Sequence, residues 1–275
     1  MTVRPPSYAG SAAAIERLDP TTALRQTSNY LEAKHAAIAK WVVGGVDPRA
    51  LIRFALRDLS VNTKLMECTR DSIYLALLSC AITGLVPGAE RGEAYLVPFK
   101  GKAQFMAGWR GLVKMARRSR DVKRISSNVV RENDAFDIEL GSDARVTHKP
   151  LLIGERGAVI GAYAIAELST GLEVEWMDRA DLDQIERVAT SRGASPAWKD
   201  WQDQMQRKAP IRRLSKRLPL GDDYYRAAEL EQAVDDGKDQ GQILDVMTDG
   251  EATRAEASEA ASAELRAQAA AIDVP

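Results

Sequence analysis

The hydrophobic period of this chain changes at Gly88, and that change limits the folds open to it. Upstream, apolar residues recur at helical spacing: Leu24, Leu31, Ile38 and Trp41 predict a helix over residues 22–43, ended by Gly44-Gly45. Asp47-Pro48 supplies an N-cap followed by proline in the first turn. It opens a helix carrying Leu51, Ile52, Ala55, Leu56 and Leu59. Another helix starts near Asp71 or Ser72 and stops at Gly84. After Gly88 the period becomes two, and residues 94–99 and 103–106 flank Lys100-Gly101-Lys102 as a β-hairpin. Further strands are expected over residues 124–131, 134–140, 158–168 and 172–177, with turns at Gly141, residues 154–157 and Thr170-Gly171. Asp178 or Asp181 caps a helix containing Leu182, Ile185 and Val188. Ser195-Pro196 opens one with Trp198, Trp201 and Met205.

The segment that follows the hairpin carries the strongest charge pattern. Residues 100–124 hold nine cations (Lys100, Lys102, Arg110, Lys114, Arg117, Arg118, Arg120, Lys123, Arg124) against one acid, Asp121, in a chain of formal net charge −1. On a helix from Trp109, the residues Trp109, Leu112, Val113 and Ala116 form an apolar stripe. Arg110, Lys114, Arg117 and Arg118 form a second, cationic stripe. One stripe packs on the core, and the other presents cations to an anion, of which a nucleic-acid backbone is the obvious candidate. A basic helix in isolation is more often a solvated face than a binding site. A second run, RKAPIRRLSKR, shifts that balance with Arg207, Lys208, Arg212, Arg213, Lys216 and Arg217 and no acid. If the two runs meet in space, they make a groove.

A length of 275 residues suits one large domain or two small ones. The longest apolar stretch, residues 73–82, is interrupted by Ser79 and is too short to span a bilayer. The N-terminus lacks a secretory signal pattern, and Cys68 and Cys80 sit in an apolar helical region where reduced, buried thiols are expected. These features predict a cytoplasmic protein. Charge is segregated along the chain: residues 222–275 carry fourteen acids and four bases. The end of that segment is rich in Ala, Glu and Ser, with little apolar face to pack. Such a tail recruits a basic partner or competes with nucleic acid for the protein's own groove.

Several chemistries have no carrier in the sequence. No GxxxxGK[ST] loop occurs, so ATP-driven strand exchange is not expected. His35 and His148 lack metal-ligand spacing to Cys or His, and no GxSxG nucleophile setting is present. Glu132, Asp134 and Asp137, and separately Glu173 and Glu175, cluster without a PD…(D/E)xK arrangement and read as solvated strand edges. Trp109, Trp198 and Trp201 read as core, and aromatic residues are too sparse for a base-stacking platform. No catalytic or metal-ligating residue is expected.

Four blocks together resemble the RecT family of phage-type single-strand annealing proteins. They are LMECTRDSIYLALLSCAITGLVPG, EAYLVPFKGKAQFMAGWRGLVKMARRS, VVRENDAFDIELG and SPAWKDWQDQMQRKAPIRRLSKRLPL, in that order, and the likeness as a whole covers about residues 47–220. The resemblance implies an α+β fold, a helical core around a small antiparallel sheet and hairpins, to which the composition adds an acidic flexible C-terminal tail. Three regions are expected: a disordered arm at 1–20, read from Pro5, Pro6 and small residues, a DNA-binding and oligomerisation core at 21–220, implied by the resemblance, and an acidic, mobile or partner-binding region at 221–275, where the family diverges. The implied function is ATP-independent binding of single-stranded DNA and annealing of complementary strands in homologous recombination, by a ring or helical homo-oligomer. No cofactor is implied, and Mg2+ enters only as a phosphate counterion. Implied partners are single-stranded DNA, the annealed duplex, other copies of the chain and, through the C-terminal region, a partner exonuclease and the host single-strand-binding protein. The DNA-binding positions carried over are Lys100, Lys102, Arg110, Lys114, Arg117, Arg118, Arg124, Lys208, Arg212, Arg213 and Lys216. Two departures from the family pattern stand out. Pro210 falls where continuous helix is usual, so it either kinks that helix or starts a new one, and Arg120 replaces a common glycine. Two other classes remain open beside this reading, a metal-dependent nuclease and an adaptor whose basic face binds an acidic protein.

Overall fold

The computed structural model describes residues 19–191, 198–199, 201–235, 240, 241 and 244. The expected N-terminal arm at 1–20 and the helix start at Ser195-Pro196 fall almost entirely outside these residues, as does most of the acidic tail. The fold is α+β, with helices packed around small antiparallel sheets. No described helix is long and apolar enough to cross a membrane.

Five helices come first. α1 (Pro20–Ala33) and α2 (His35–Lys40) replace the single helix expected over 22–43, because the chain turns at Lys34. That turn lets both Leu31 and Ile38 bury completely. α3 (Pro48–Val61) is capped by Asp47, whose carboxylate accepts from Arg49 N–H at 3.0 Å, and a short α4 (Thr63–Met66) follows. α5 (Arg70–Thr83) is buried nearly all round, which makes it the central helix of the body. Gly84 ends it with φ +62, a left-handed cap that a Cβ would strain.

The period-two segment is the expected hairpin, β1 (Ala94–Phe99) with β2 (Lys102–Ala107), in register from Ala94↔Ala107 to Phe99↔Lys102. Lys100 and Gly101 turn with φ +48 and +76, the both-positive pattern of a type I′ turn. α6 (Trp109–Ala116) follows directly. Its approach to the hairpin depends on two glycines: a Cβ on Gly108 would lie 2.2 Å from Gly92 O, and one on Gly111 2.0 Å from Glu93 O. Close packing of backbone on backbone therefore explains both glycines.

A three-stranded antiparallel sheet has the order β3 (Val122–Arg131), β6 (Val159–Leu168), β7 (Gly171–Asp178). Between β3 and β6 the chain makes a second hairpin, β4 (Ala135–Glu139) with β5 (Arg145–Lys149). β5 was not expected, since RVTHK has too few apolar residues to show a period. One face of this arm packs through Phe136 and His148 onto Tyr163 and Trp176 of the sheet, with Phe136 and Trp176 stacked at 4.9 Å. α7 (Arg179–Thr190), capped by Asp178, and α8 (Gln202–Ser215) cover the other face. α8 runs continuously through Pro210, so the proline starts no new helix. Packing of Ala209, Ile211 and Leu214 holds the segment helical around it.

The packed body continues beyond Leu220 into α9 (Asp222–Asp235). Tyr224, Ala227 and Leu230, together with Leu244, bury in the main core. Polar side chains from this segment also close the free edge of β2. Gln240 accepts from Phe105 N–H at 2.9 Å and donates to its carbonyl at 3.0 Å, and Glu231 accepts from Ala107 N–H at 2.9 Å. Edge groups that would template another strand are thereby satisfied within the chain.

The expectation that the strand carboxylates are solvated fails at two positions. The Asp134 side chain is shielded from solvent in a half-buried residue, and its carboxylate accepts from Arg156, His148 and the Leu151 and Arg131 amides. These donors, Arg156 first, hold its carboxyl well below the usual carboxylate range. Glu175 is also buried, between Arg213 and Arg217. A carboxylate with a lowered folded pKa stabilises fully above its unfolded value of about 4 and loses that contribution as pH falls. Asp134→Asn is therefore expected to destabilise the fold at neutral pH by about 3 kcal/mol. It should also flatten the loss of stability below about pH 4, both read by urea unfolding across pH. At the other buried pair, Glu231→Ala removes the carboxylate that faces Lys208 and should cost about 3–5 kcal/mol, while Lys208→Met with Glu231→Leu should cost less. Equal losses in the single and double variants would show that the charge pair is not the cause.

Candidate nucleic-acid interface

α6 is amphipathic in the way the sequence predicts. Gly111, Leu112, Val113, Met115 and Ala116 are buried, while Arg110 and Arg117, one heptad apart on the same face, are exposed. About 10 Å of helix separates the two at 1.5 Å per residue. Neither guanidinium has a hydrogen bond or ion pair among the described residues, and Arg110 lies beside the Trp109 ring at 5.7 Å.

The two basic runs do meet. Trp109 Nε1 donates to Gln204 of α8, and Arg207 lies over the same indole at 5.6 Å. Ten residues later, Ser119 Oγ donates to Pro219 O at 2.6 Å, just past the end of α8. α6 and α8 therefore run side by side in the same direction. Arg207 lies at the Arg110 end, and Lys216 at the end holding Arg117 and Arg120.

Of the eleven positions carried over from the sequence, five are tied to acids or backbone carbonyls of the body, and Lys102 is engaged as well. Lys114 Nζ contacts Glu93 at 2.7 Å and Gly84 O at 3.2 Å. Arg118 donates to Thr83 O and Gly84 O at 2.8 and 2.9 Å and pairs with Asp223. Lys208 is buried against Glu231, and Arg212 reaches the same carboxylate at 3.7 Å. Arg213 pairs with Glu175 and Asp181, each at 2.9 Å. The remaining six, Lys100, Lys102, Arg110, Arg117, Arg124 and Lys216, are exposed.

Those six do not form one cluster. The hairpin turn is held at the N-terminus of α5, where Thr69 N–H donates to Gly101 O at 3.1 Å, while Lys114 and Arg118 join α6 to the C-terminus of that helix. Fourteen residues of α5 separate the two ends, which is about 20 Å. Lys100 and Lys102 are thus a separate outpost, Arg110, Arg117 and Lys216 belong to the α6–α8 side, and Arg124 lies opposite Glu167 on the face of β3 turned away from α8.

Four exposed or partly exposed cations of the basic runs were not carried over as individual positions: Arg120, Lys123, Arg207 and Arg217, the last paired with Glu173 and Glu175. Run charge was the available signal for all four. Trp201, read as core, is 56% exposed, whereas Trp198 is buried as expected. Trp109 is partly buried and packs against the main core. Among the described residues, no group of three or more His, Cys, Asp or Glu side chains is placed to hold a metal ion. Asp134 and Glu175, the buried members of the carboxylate clusters, are neutralised by arginines.

Fold and surface together define an α+β protein with a cationic side built on two parallel helices. The RecT family model matches residues 50–243. Protein RecT of Escherichia coli (strain K12) is 33% identical over 193 residues, covering 66% of this chain and 70% of that protein. The chain belongs to the RecT family. The matched region includes α9, in keeping with its packing into the body.

Burial of the Gly111 approach generates a stability prediction for this surface. Gly111→Ala should lower stability by about 1–3 kcal/mol, because the new Cβ meets a backbone carbonyl that cannot rotate away. Thermal unfolding of the variant tests it.

Proposed function

We propose that this protein binds single-stranded DNA and pairs it with a complementary strand during recombination, without ATP and as a homo-oligomer, in a ring or helical filament. Membership of the RecT family supports the recombination and annealing role. The observation that carries the reading is Arg110 on α6 and Arg117 at its C-cap, both exposed and, among the described residues, without a hydrogen bond or ion pair, while the opposite face of the helix is locked into the core. Cations without internal partners, on a rigid helix, are available to phosphates without first breaking a salt bridge.

Within this reading the eleven candidate positions divide by role. Arg110, Arg117 and Lys216 grip the backbone beside α6, and Lys100, Lys102 and Arg124 extend the path at the hairpin turn and on β3. Lys114, Arg118, Lys208, Arg212 and Arg213 hold the surface in shape. Annealing requires that two polyanions approach while the bases stay free to pair. A cationic surface that grips phosphates leaves base edges outward, and base pairing supplies the driving force. No step needs a catalytic residue or a cofactor, and Mg2+ acts only by screening phosphates. Repetition of the surface along an oligomer makes modest contacts per subunit sufficient. The segment beyond the matched region is the candidate dock for a partner exonuclease or single-strand-binding protein, and the protein acts in the cytoplasm.

Two complementary labelled oligonucleotides, mixed with the protein without nucleotide, are expected to pair faster than alone and to keep their full length on a denaturing gel. Shortened strands, or no acceleration, would overturn the proposal. With about four phosphates neutralised per protomer, log K should fall against log salt with a slope of about −3. Arg110→Glu with Arg117→Glu should abolish annealing while leaving the thermal unfolding midpoint near that of the parent.

A further inference from the structure

We propose that Arg207 and Arg110, held against the indole of Trp109, form one phosphodiester-binding site that joins the two basic helices. The site rests on the single-stranded DNA reading above and adds to it a position that the family pattern did not supply. Arg207 differs from the other arginines of its helix and the turn that follows. Arg212 faces Glu231, Arg213 faces Glu175 and Asp181, and Arg217 faces Glu173 and Glu175. Arg207 has no ion pair or hydrogen bond for its guanidinium among the described residues, and its Nε is buried without a partner. Asp203, one turn before it on α8, is already engaged by Arg131. A partly buried guanidinium without a counter-ion is costly, and an external anion relieves that cost.

The surroundings fix where the anion must come. Ser127 Oγ donates to Arg207 O at 2.8 Å, tying this turn of α8 to β3. The indole is fixed to the preceding turn of the same helix by the bond from Trp109 Nε1 to Gln204. The guanidinium carbons of Arg207 and Arg110 lie 5.6 and 5.7 Å from the ring centroid, so both cations are drawn to the same π system. With guanidiniums already over the indole, a nucleobase would have to displace them to stack. Their outward N–H edges remain as donors, and a guanidinium fork matches two phosphate oxygens. The ligand class is therefore the sugar-phosphate backbone and not a base.

Binding of labelled oligothymidylate, followed by fluorescence anisotropy across a salt series, tests this. Arg207→Gln should make the log K against log salt slope shallower by about 0.7 and weaken binding about five-fold at 0.1 M salt, the effect of losing one neutralised phosphate. Arg207→Lys should keep the slope and lose affinity, since it keeps the charge but not the fork. Both changes should be the same on oligodeoxyadenylate; a loss confined to one base would replace the phosphate site by base stacking and overturn the proposal. Unchanged affinity and slope in Arg207→Gln, with binding lost in Arg110→Glu/Arg117→Glu, would remove this site and leave the DNA-binding reading intact. Unchanged binding in both variants would remove the reading itself. Should Arg207→Gln lose its fold by circular dichroism, Arg207→Lys decides, and undiminished affinity there overturns the proposal.

Discussion

Arg118 is the interaction on which the rest of the structure depends. Its guanidinium donates to Thr83 O and Gly84 O at the end of α5 and pairs with Asp223 at the start of α9. It fills the space that side chains at Gly44 and Gly84 would occupy, both glycines having positive φ. One side chain thus caps the central helix with a cation, where the helix dipole favours it, and fastens the C-terminal helix to the body. Lys114 repeats the arrangement one turn earlier through Gly84 O and Glu93. A charge pattern that reads as a ligand face is, in this half, the fastening of α6.

That fastening sets the electrostatics of the other half. Cations paired internally have their field cancelled close by, while Arg110 and Arg117 have theirs directed outward from the same rigid helix. Under the proposed function this difference matters, because a paired arginine must surrender a charge-assisted bond before it can hold a phosphate. The acidic C-terminal sequence contributes to the separation: Asp223 and Glu231 sit in α9 and neutralise Arg118, Lys208 and Arg212. Their helix is bound by buried Tyr224, Ala227 and Leu230, so these acids belong to the folded body and not to a free tail.

Much of the local structure was legible in the sequence because it is coded by short-range chemistry. Asp47-Pro48, the Gly84 stop, the Lys100-Gly101 turn and the apolar stripe of α6 all act within a few residues. The break at Lys34, the strand RVTHK and the short α4 were not legible, since none has a period long enough to register. Burial of Asp134 and Glu175 was equally hidden. Each depends on an arginine from elsewhere in the chain, Arg156 for Asp134 and Arg213 with Arg217 for Glu175.

The sequence by itself determined the family, the mixed helix-and-strand class, and the two basic runs that form the cationic side. Those follow from residue type and spacing, which are local quantities. Only the tertiary structure decided which cations remain available. Whether a lysine or arginine is free depends on the acids brought near it across 21 residues at Lys114–Glu93, 23 at Lys208–Glu231 or 105 at Arg118–Asp223. It also placed Arg207 over Trp109, joining residues from both basic runs in one place. Charge is counted along the chain, but its availability is set by what folds against it.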